Sequence, residues 1–170
     1  MNIFYTYNEP TLAAQSLPDK LVVKMPLESA QMLSTAQRFY FGEDYCDELG
    51  IYKTAYLNHP CTIWARVSLD NYEWLFCYAL ALNDEYRYRY GKEHKSVYDV
   101  ILKLPDIILP RSGLTPFAQA MPDELKGDNA VEAYRRFYHK DKATFAEWKY
   151  RDKPQWWLEE EADYESRITR

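Results

Sequence analysis

The chain has 170 residues, of which 47% are hydrophobic and 28% are charged, and its formal net charge is −5. This length and composition exclude a disordered chain and predict one compact globular domain with a sizeable core. The negative charge works against indiscriminate binding to a polyanion such as DNA. We expect a single helical domain over residues 1–157, followed by an acidic tail over residues 158–170.

Apolar residues recur at helical spacing almost throughout the chain, so the predicted fold class is all-α. A short extended start over residues 3–7 precedes a first helix over residues 9–17 with Asn8 as its cap. Helices over residues 19–25 and 27–40 follow, bent or separated at Pro26. A polar connection covers residues 42–58, and His59 opens a turn of helix that runs through Arg66.

A long central helix is predicted over residues 69–90, with Ser68 as its cap and Gly91 as its stop. This helix ends in YRYRY, where aromatic and cationic residues alternate as they would on a nucleic-acid surface. The same residues continue the buried stripes of the helix, so we interpret YRYRY as a helix end and not as a strand.

Arg87 and Arg89 lie about 200° apart on such a helix, so at most one of them can touch a functional site. We expect Arg87 to be the functional candidate and to pair with Asp84. Arg89 is expected to form an exposed pair with Glu85 and to add only a fraction of a kcal/mol to stability.

The second half of the chain is predicted to be less regular. A short helix over residues 97–104 is capped by Ser96, and a proline-rich wrapping loop covers residues 105–129. A last long helical region over residues 130–151 is ended by Pro154, Trp156 and Trp157, after which the acidic tail frays.

One cluster of candidate functional residues follows helical spacing near the N-terminus. Lys20, Lys24, Glu28 and Gln31 are separated by steps of four, four and three, which places them on one face if the helix persists through Pro26. A carboxylate beside two amines can act in acid/base or phosphate chemistry. The alternative is a solvated stripe of ion pairs.

A second cluster surrounds the start of the central helix. His59, Trp64, Arg66 and Asn71 could line a pocket in which a ring stacks on a ligand and an arginine holds an anion. The alternative is that His59 caps a helix and Arg66 is a cation at the edge of the core.

Several classes of site have no motif in this sequence. Cys46, Cys61 and Cys77 form no CxxC pair, and there is no HxxxH, EF-hand or glycine-rich phosphate loop. We therefore expect no metal and no cofactor. The chain begins without a signal sequence and has no apolar run of about 20 residues, so we expect no membrane association and a cytoplasmic protein, in the host cytoplasm if it is viral.

The order of these features resembles the phage pyrimidine-dimer DNA glycosylases of the endonuclease V type. The resemblance rests on LAAQSL, a second helix containing proline, HPCTIWARVSLDNYEWLFCYALALNDEYRYRYG, and a C-terminal region rich in Trp, Tyr and Lys. Uncharacterised phage proteins with matching residues in DKLVVKM and HPCTIWARVSLDNYEWL are also similar. The likeness covers most of residues 1–157.

This resemblance implies a compact helical enzyme whose N-terminal α-amine forms a Schiff base at the sugar C1′, with a glutamate nearby. Asn2 stands where the family has a small residue, so we expect the free amine to be that of Met1. Val23 or Lys24 stands where the family has its glutamate, and Glu28, one helical turn further on, is assigned as the acid/base group.

The first functional hypothesis is therefore a DNA-lesion or DNA-base-modification enzyme that resembles a glycosylase/AP lyase. Trp64 would hold an extruded base. The residues expected on DNA phosphates are Lys20, Lys24, Arg66, Arg87, Arg89 and Lys92.

Two other hypotheses remain open at this stage. The protein could bind or sequester a nucleotide-like small molecule, with Lys24 or Arg66 on its phosphate. It could also be an interaction protein that uses exposed Trp156 and Trp157 as a docking patch. The sequence does not set an oligomeric state.

Overall fold

The structure is a computed structural model that describes residues 1–168, with side chains described for residues 1–163. The described residues contain no strand, which confirms the all-α prediction. The helices within that range are α1 (Pro10–Gln15), α2 (Asp19–Phe41), α3 (Glu43–Glu48), α4 (Pro60–Val67), α5 (Leu69–Tyr90), α6 (Lys95–Asp99), α7 (Ala130–Phe137) and α8 (Gln155–Ile168). None of these helices is long and apolar enough to cross a membrane.

The helix α2 runs without interruption through Pro26, where the sequence predicted a bend or a break. Proline removes one backbone hydrogen bond from a helix interior. Val22, Met25 and Ala30 are completely buried around that point, and α2 packs against both α4 and α5. Burial of these side chains outweighs the missing hydrogen bond, so residues 20–31 share one continuous helix.

The central helix α5 has the bounds that the sequence predicted. Ser68 Oγ accepts a hydrogen bond from the Asn71 amide at 3.1 Å, and Gly91 adopts φ 69° and donates from its amide to the Arg87 carbonyl. Leu75 and Leu82 are completely buried. The prediction that YRYRY is a helix end is therefore confirmed.

Arg89 is buried, and the expectation that it forms an exposed pair is wrong. Its guanidinium binds Glu85 at 2.6 Å and Asp19 at 2.9 Å, and it also donates to the carbonyls of Leu17 and Gln15. Only the pairing with Glu85 was visible from sequence spacing. The ends of α1, α2 and α5 converge on this one side chain.

The middle of the chain contains more helix than predicted before α4 and less after α5. The polar connection over residues 42–58 includes α3. His94, and not Ser96, caps α6, which is followed by a short 3-10 turn at Ile101–Lys103. Residues 105–129 are irregular as predicted, apart from a 3-10 turn at Asp123–Leu125.

The predicted helical region over residues 130–151 is wrong beyond Phe137. The chain forms a π-helical turn at Tyr138–Lys142 and a 3-10 turn at Ala143–Phe145, and residues 146–154 are irregular. The Asp19 amide donates to the Glu147 carbonyl at 2.8 Å, and the Lys149 amide donates to the Asp19 carboxylate at 2.8 Å. These long-range hydrogen bonds replace the local ones that a continued helix would make.

Trp156 and Trp157 are each 3% exposed, so the docking patch expected from their exposure is not formed. Both side chains belong to α8, which continues into the segment where the sequence predicted a fraying tail. The proposed boundary between residues 157 and 158 stays a prediction, and this helix runs across it. Residues 169–170 of that tail lie outside the described residues.

Candidate active site

The helix α2 places a buried carboxylate beneath the start of the chain. Glu28 Oε2 accepts a hydrogen bond from the Asn2 amide at 2.9 Å, and Oε1 lies 3.0 Å from Lys24 Nζ and 3.8 Å from the Met1 α-amino nitrogen. Glu28 is only 7% exposed, and burial of a carboxylate is unfavourable unless donors surround it. Around Glu28, the two cationic nitrogens and one backbone amide are those donors.

The backbone of Met1 is exposed to solvent although its side chain is covered. The Met1 side chain is 2% exposed and its sulfur lies 3.4 Å from Thr62 Oγ1, whereas the residue as a whole has intermediate exposure. The exposed part of Met1 is therefore backbone.

Asn2 fixes the position of that amine. Its side-chain Oδ1 accepts hydrogen bonds from the Tyr134 hydroxyl at 2.7 Å and from the Ile3 amide at 2.8 Å, and its Nδ2 donates to the Ala120 carbonyl at 2.9 Å. Tyr134 is completely buried. The N-terminal segment is thus held by α7 and by the wrapping loop, which were not predicted to contribute to the site.

His59 lies at the border of the same cluster. Its Nδ1 accepts a hydrogen bond from the Cys61 amide at 3.2 Å, so it caps α4. Burial lowers the pKa of His59, and the neighbouring N-terminal ammonium lowers it further, while Glu28 opposes both effects. The imidazole therefore shares the electrostatic environment of the α-amine and the carboxylate.

The other predicted members of the first cluster lie along α2 on both sides of Glu28. Lys24 is exposed. Gln31 is half-buried, and its backbone carbonyl accepts a hydrogen bond from the Thr35 hydroxyl. Lys20 is exposed and lies over the Phe145 ring at 5.5 Å. The structure thus brings Met1, Lys24 and Glu28 together, with Gln31 and Lys20 on either side along the helix.

The second predicted cluster does not converge on a pocket. Trp64 is 5% exposed and stacks on Phe117 at 4.5 Å, so it is a core residue and not a platform for an extruded base. Asn71 is completely buried and donates to the Trp64 carbonyl and the Thr115 hydroxyl. These residues connect α4 and α5 to the wrapping loop.

Arg66 also has a structural assignment. It donates to the Leu57 carbonyl at 2.5 Å and lies over the Phe39 ring at 4.6 Å, and burial lowers its pKa. It therefore anchors the loop before α4.

Arg87 and Lys92 lie at the end of α5. Arg87 is exposed and pairs with Asp84 and Glu93 at 3.0 Å each, which confirms the predicted pairing with Asp84. Lys92 is exposed and has no ion pair with any residue whose side chain the structure describes.

Four exposed lysines, Lys20, Lys24, Lys92 and Lys95, form what we call the lysine face. The first two lie on α2, and the other two flank His94 in the sequence. His94 Nε2 lies 3.0 Å from the Val23 carbonyl, which brings the start of α6 against α2. The lysine face therefore comprises lysines from two neighbouring segments, and Glu93, between Lys92 and Lys95 in the sequence, is paired with Arg87.

A family model described as pyrimidine dimer DNA glycosylase matches residues 1–99, which is more than half of the chain. The chain belongs to the pyrimidine dimer DNA glycosylase family. The matched residues of this glycosylase family member include Met1, Lys24, Glu28 and His59, whereas Tyr134 lies beyond them. No curated protein and no solved structure matches the chain.

In this glycosylase family member, two site residues carried no visible signal in the sequence. Asn2 and Tyr134 are 132 positions apart, and no spacing rule links them. Among the described residues, no group of three or more His, Cys, Asp or Glu side chains is arranged to hold a metal ion.

Proposed function

We propose that the protein is a DNA-lesion glycosylase with AP-lyase activity, in which the Met1 α-amine is the nucleophile and Glu28 is the acid/base group. The observation that supports this proposal most directly is the 3.8 Å separation between the α-amino nitrogen and Glu28 Oε1. Membership of the glycosylase family supplies the reaction class.

The chemistry begins with removal of a proton from the α-ammonium, for which the Glu28 carboxylate is positioned. The neutral amine attacks C1′ of the damaged nucleotide, the glycosidic C1′–N bond breaks with its electron pair on the base nitrogen, and the leaving base takes up the proton that the attacking nitrogen loses. Proton transfer from Glu28 to the ring oxygen opens the sugar and gives a Schiff base between C1′ and the amine. The Glu28 carboxylate, deprotonated again, takes a proton from C2′, the 3′ phosphate leaves by β-elimination, and water hydrolyses the Schiff base to free the amine.

DNA binding is assigned to the lysine face. Each exposed lysine that neutralises a phosphate releases condensed counterions, so the affinity should fall as salt concentration rises. Lys20, Lys92 and Lys95 have no ion pair among the described side chains and are free to meet a phosphate. The acidic residues of α8 lie on a different part of the chain and account for much of the net charge.

The test is borohydride trapping with a labelled duplex that contains a cis-syn thymine dimer, and with a second duplex that contains an abasic site. We expect a covalent protein–DNA adduct with the wild-type protein. Glu28→Gln should slow trapping by roughly 10²- to 10⁴-fold, the usual contribution of a general acid/base. The matched control is Glu73→Gln, because Glu73 is an exposed carboxylate that pairs with Arg111. This variant should behave as wild type.

Absence of an adduct with either duplex, together with DNA binding that does not weaken as salt rises, would contradict this function. Equal trapping rates for Glu28→Gln and the wild-type protein would contradict the role of the carboxylate. Such a result would not affect the assignment of the Met1 α-amine as the nucleophile.

A further inference from the structure

Tyr56 is the most exposed Tyr, Phe or Trp residue among residues 1–163, with 69% of the residue accessible to solvent. It is also the one non-glycine residue in the described chain with positive φ, at 51°. A bulky aromatic side chain rarely adopts this left-handed conformation, which glycine or asparagine tolerates with less strain. Neither burial nor backbone preference explains a tyrosine at this position.

The backbone on both sides of Tyr56 is anchored. The Ala55 amide donates to Thr35 Oγ1 at 3.0 Å, and the Leu57 carbonyl accepts from the buried Arg66 guanidinium. The Tyr56 carbonyl itself accepts from the His59 amide at 2.9 Å. The loop is therefore rigid although its ring projects into solvent, and a rigid platform loses little conformational entropy on binding.

The loop that carries Tyr56 borders the candidate active site. His59, three residues further on, responds electrostatically to both the N-terminal ammonium and Glu28. Thr35 lies two turns of α2 beyond Glu28, which corresponds to about 10 Å along the helix axis. Thr62 Oγ1, near the start of α4 and six residues beyond Tyr56, lies 3.4 Å from the Met1 sulfur, so the segment that follows Tyr56 reaches the N-terminal residue.

The same loop also touches the lysine face. The Tyr52 hydroxyl lies 3.0 Å from Ser96 Oγ on α6, beside Lys95. The carboxylates of Glu43 and Asp47 in α3 are engaged by Arg38, and Asp47 is also paired with Lys53. The loop that carries Tyr56 thus contacts α6 through Tyr52 and leads into the start of α4 beside Met1.

We propose that Tyr56 stacks on a nucleobase that leaves the duplex when the lesion is bound. This inference rests on the proposed function and names a contact that holds the DNA in its distorted form. Enzymes that act on the sugar or base of a duplex must unstack nucleotides, and an aromatic face compensates an unstacked base regardless of its identity.

The experiment compares Tyr56→Ala and Tyr56→Phe with the wild-type protein, using a thymine-dimer duplex that carries 2-aminopurine opposite the lesion. Tyr88→Ala is the matched control, because Tyr88 is also largely exposed, at 64%, and lies on α5. We expect Tyr56→Ala to weaken binding by roughly 5- to 150-fold, as loss of one base–aromatic stack does. Tyr56→Phe and Tyr88→Ala should bind as wild type.

At saturating protein, the 2-aminopurine in the Tyr56→Ala complex should fluoresce more brightly than in the wild-type complex, because the unstacked base has lost its aromatic partner. Wild-type affinity and unchanged fluorescence in Tyr56→Ala would overturn the stacking role and leave the glycosylase proposal standing. Failure of the wild-type protein to bind or trap any damaged duplex would overturn the proposed function and this inference with it.

Discussion

Glu28 and Glu85 are both buried glutamates surrounded by cations, and their environments differ in one respect. Glu85 is 2% exposed, and its carboxylate receives Arg89 Nε at 2.6 Å together with two nitrogens of Arg151 at 2.6 and 2.7 Å. Glu28 receives one backbone amide and an exposed lysine, while the α-amine at 3.8 Å is beyond hydrogen-bonding distance. One carboxylate receives three nitrogens from two arginines, and the other receives one backbone amide and an exposed lysine, with the α-amine nearby.

This difference distinguishes a structural carboxylate, Glu85, from a candidate catalytic carboxylate, Glu28, in the same protein. A buried charge whose donors are all fixed holds elements together. Here Glu85 joins Arg151 to α5, and Arg89 extends the contact to Asp19 at the start of α2. A buried carboxylate with fewer hydrogen-bond donors can exchange protons with a ligand that binds beside it. Residue type alone would not separate the two sites, because each combines an acid with neighbouring cations.

Substitution of Glu85 is the largest expected disruption. Glu85→Gln leaves Arg89 buried beside an amide and should lower the free energy of unfolding by about 3–5 kcal/mol, the usual cost of breaking a buried ion pair. Urea denaturation at pH 7 measures this. Glu28→Gln should cost roughly 1 kcal/mol in the same assay, and similar losses for the two variants would remove the distinction between the sites.

Asn2→Ala is expected to have the next largest effect, and it acts at the reactive site. The Tyr134 hydroxyl would lose its acceptor on Asn2, which should cost about 1–3 kcal/mol in unfolding free energy. Borohydride trapping should slow as well, because the amine is no longer held beside Glu28. The control is Asn58→Ala, at an exposed asparagine in the loop before α4. Equal trapping rates for Asn2→Ala and this control would show that Asn2 is not a positioning residue.

Acidification should weaken the fold through two histidines near α2. Burial lowers the pKa of both His59 and His94 in the folded protein. As pH falls below about 6.5, the unfolded chain gains protons that the folded protein does not bind, so the free energy of unfolding decreases until the lowered folded pKa values are passed.

Urea denaturation between pH 7 and pH 5 tests this pH dependence. His59→Asn and His94→Asn keep a side-chain acceptor at each helix cap while removing the titration, so each should flatten the profile. An unchanged slope in the double variant would assign the pH dependence to other groups.

Arg87→Ala is expected to have the smallest effect. Its two ion pairs are exposed, and such pairs contribute roughly 0–1 kcal/mol. Arg89→Ala, two residues further along the same helix, should cost several kcal/mol because it leaves Glu85 and Asp19 without a shared partner. Thermal unfolding of the two variants side by side measures this contrast, and equal melting temperatures would contradict the burial of Arg89.

Local signals explain what could be predicted from the sequence. The ends of α5 follow from a capping serine and a left-handed glycine that each act within four residues, and these were predicted correctly. Arg89 was assigned to the surface because only its contact with Glu85 is local, whereas its contact with Asp19 spans 70 residues. The helix predicted beyond Phe137 does not form for the same reason. Hydrogen bonds that join Asp19 to Glu147 and Lys149 keep that segment irregular.

The candidate site was partly visible in the same way. Lys24 and Glu28 follow from helical spacing, and Met1 entered through the family resemblance. Asn2, Tyr134 and the rigid loop around Tyr56 depend on contacts between distant segments. Sequence spacing cannot place them, and the exposure of Tyr56 was not visible from its neighbours.

The most direct test of the central claim is to locate the covalent bond in the borohydride-trapped complex. Proteolysis and mass spectrometry of the adduct distinguish the Met1 α-nitrogen from Lys24 Nζ, the other amine that lies beside Glu28, at 3.0 Å from Oε1. The account predicts that the reduced sugar remnant is attached to the N-terminal peptide through the α-nitrogen. A remnant on Lys24 would contradict it, as would the absence of any adduct.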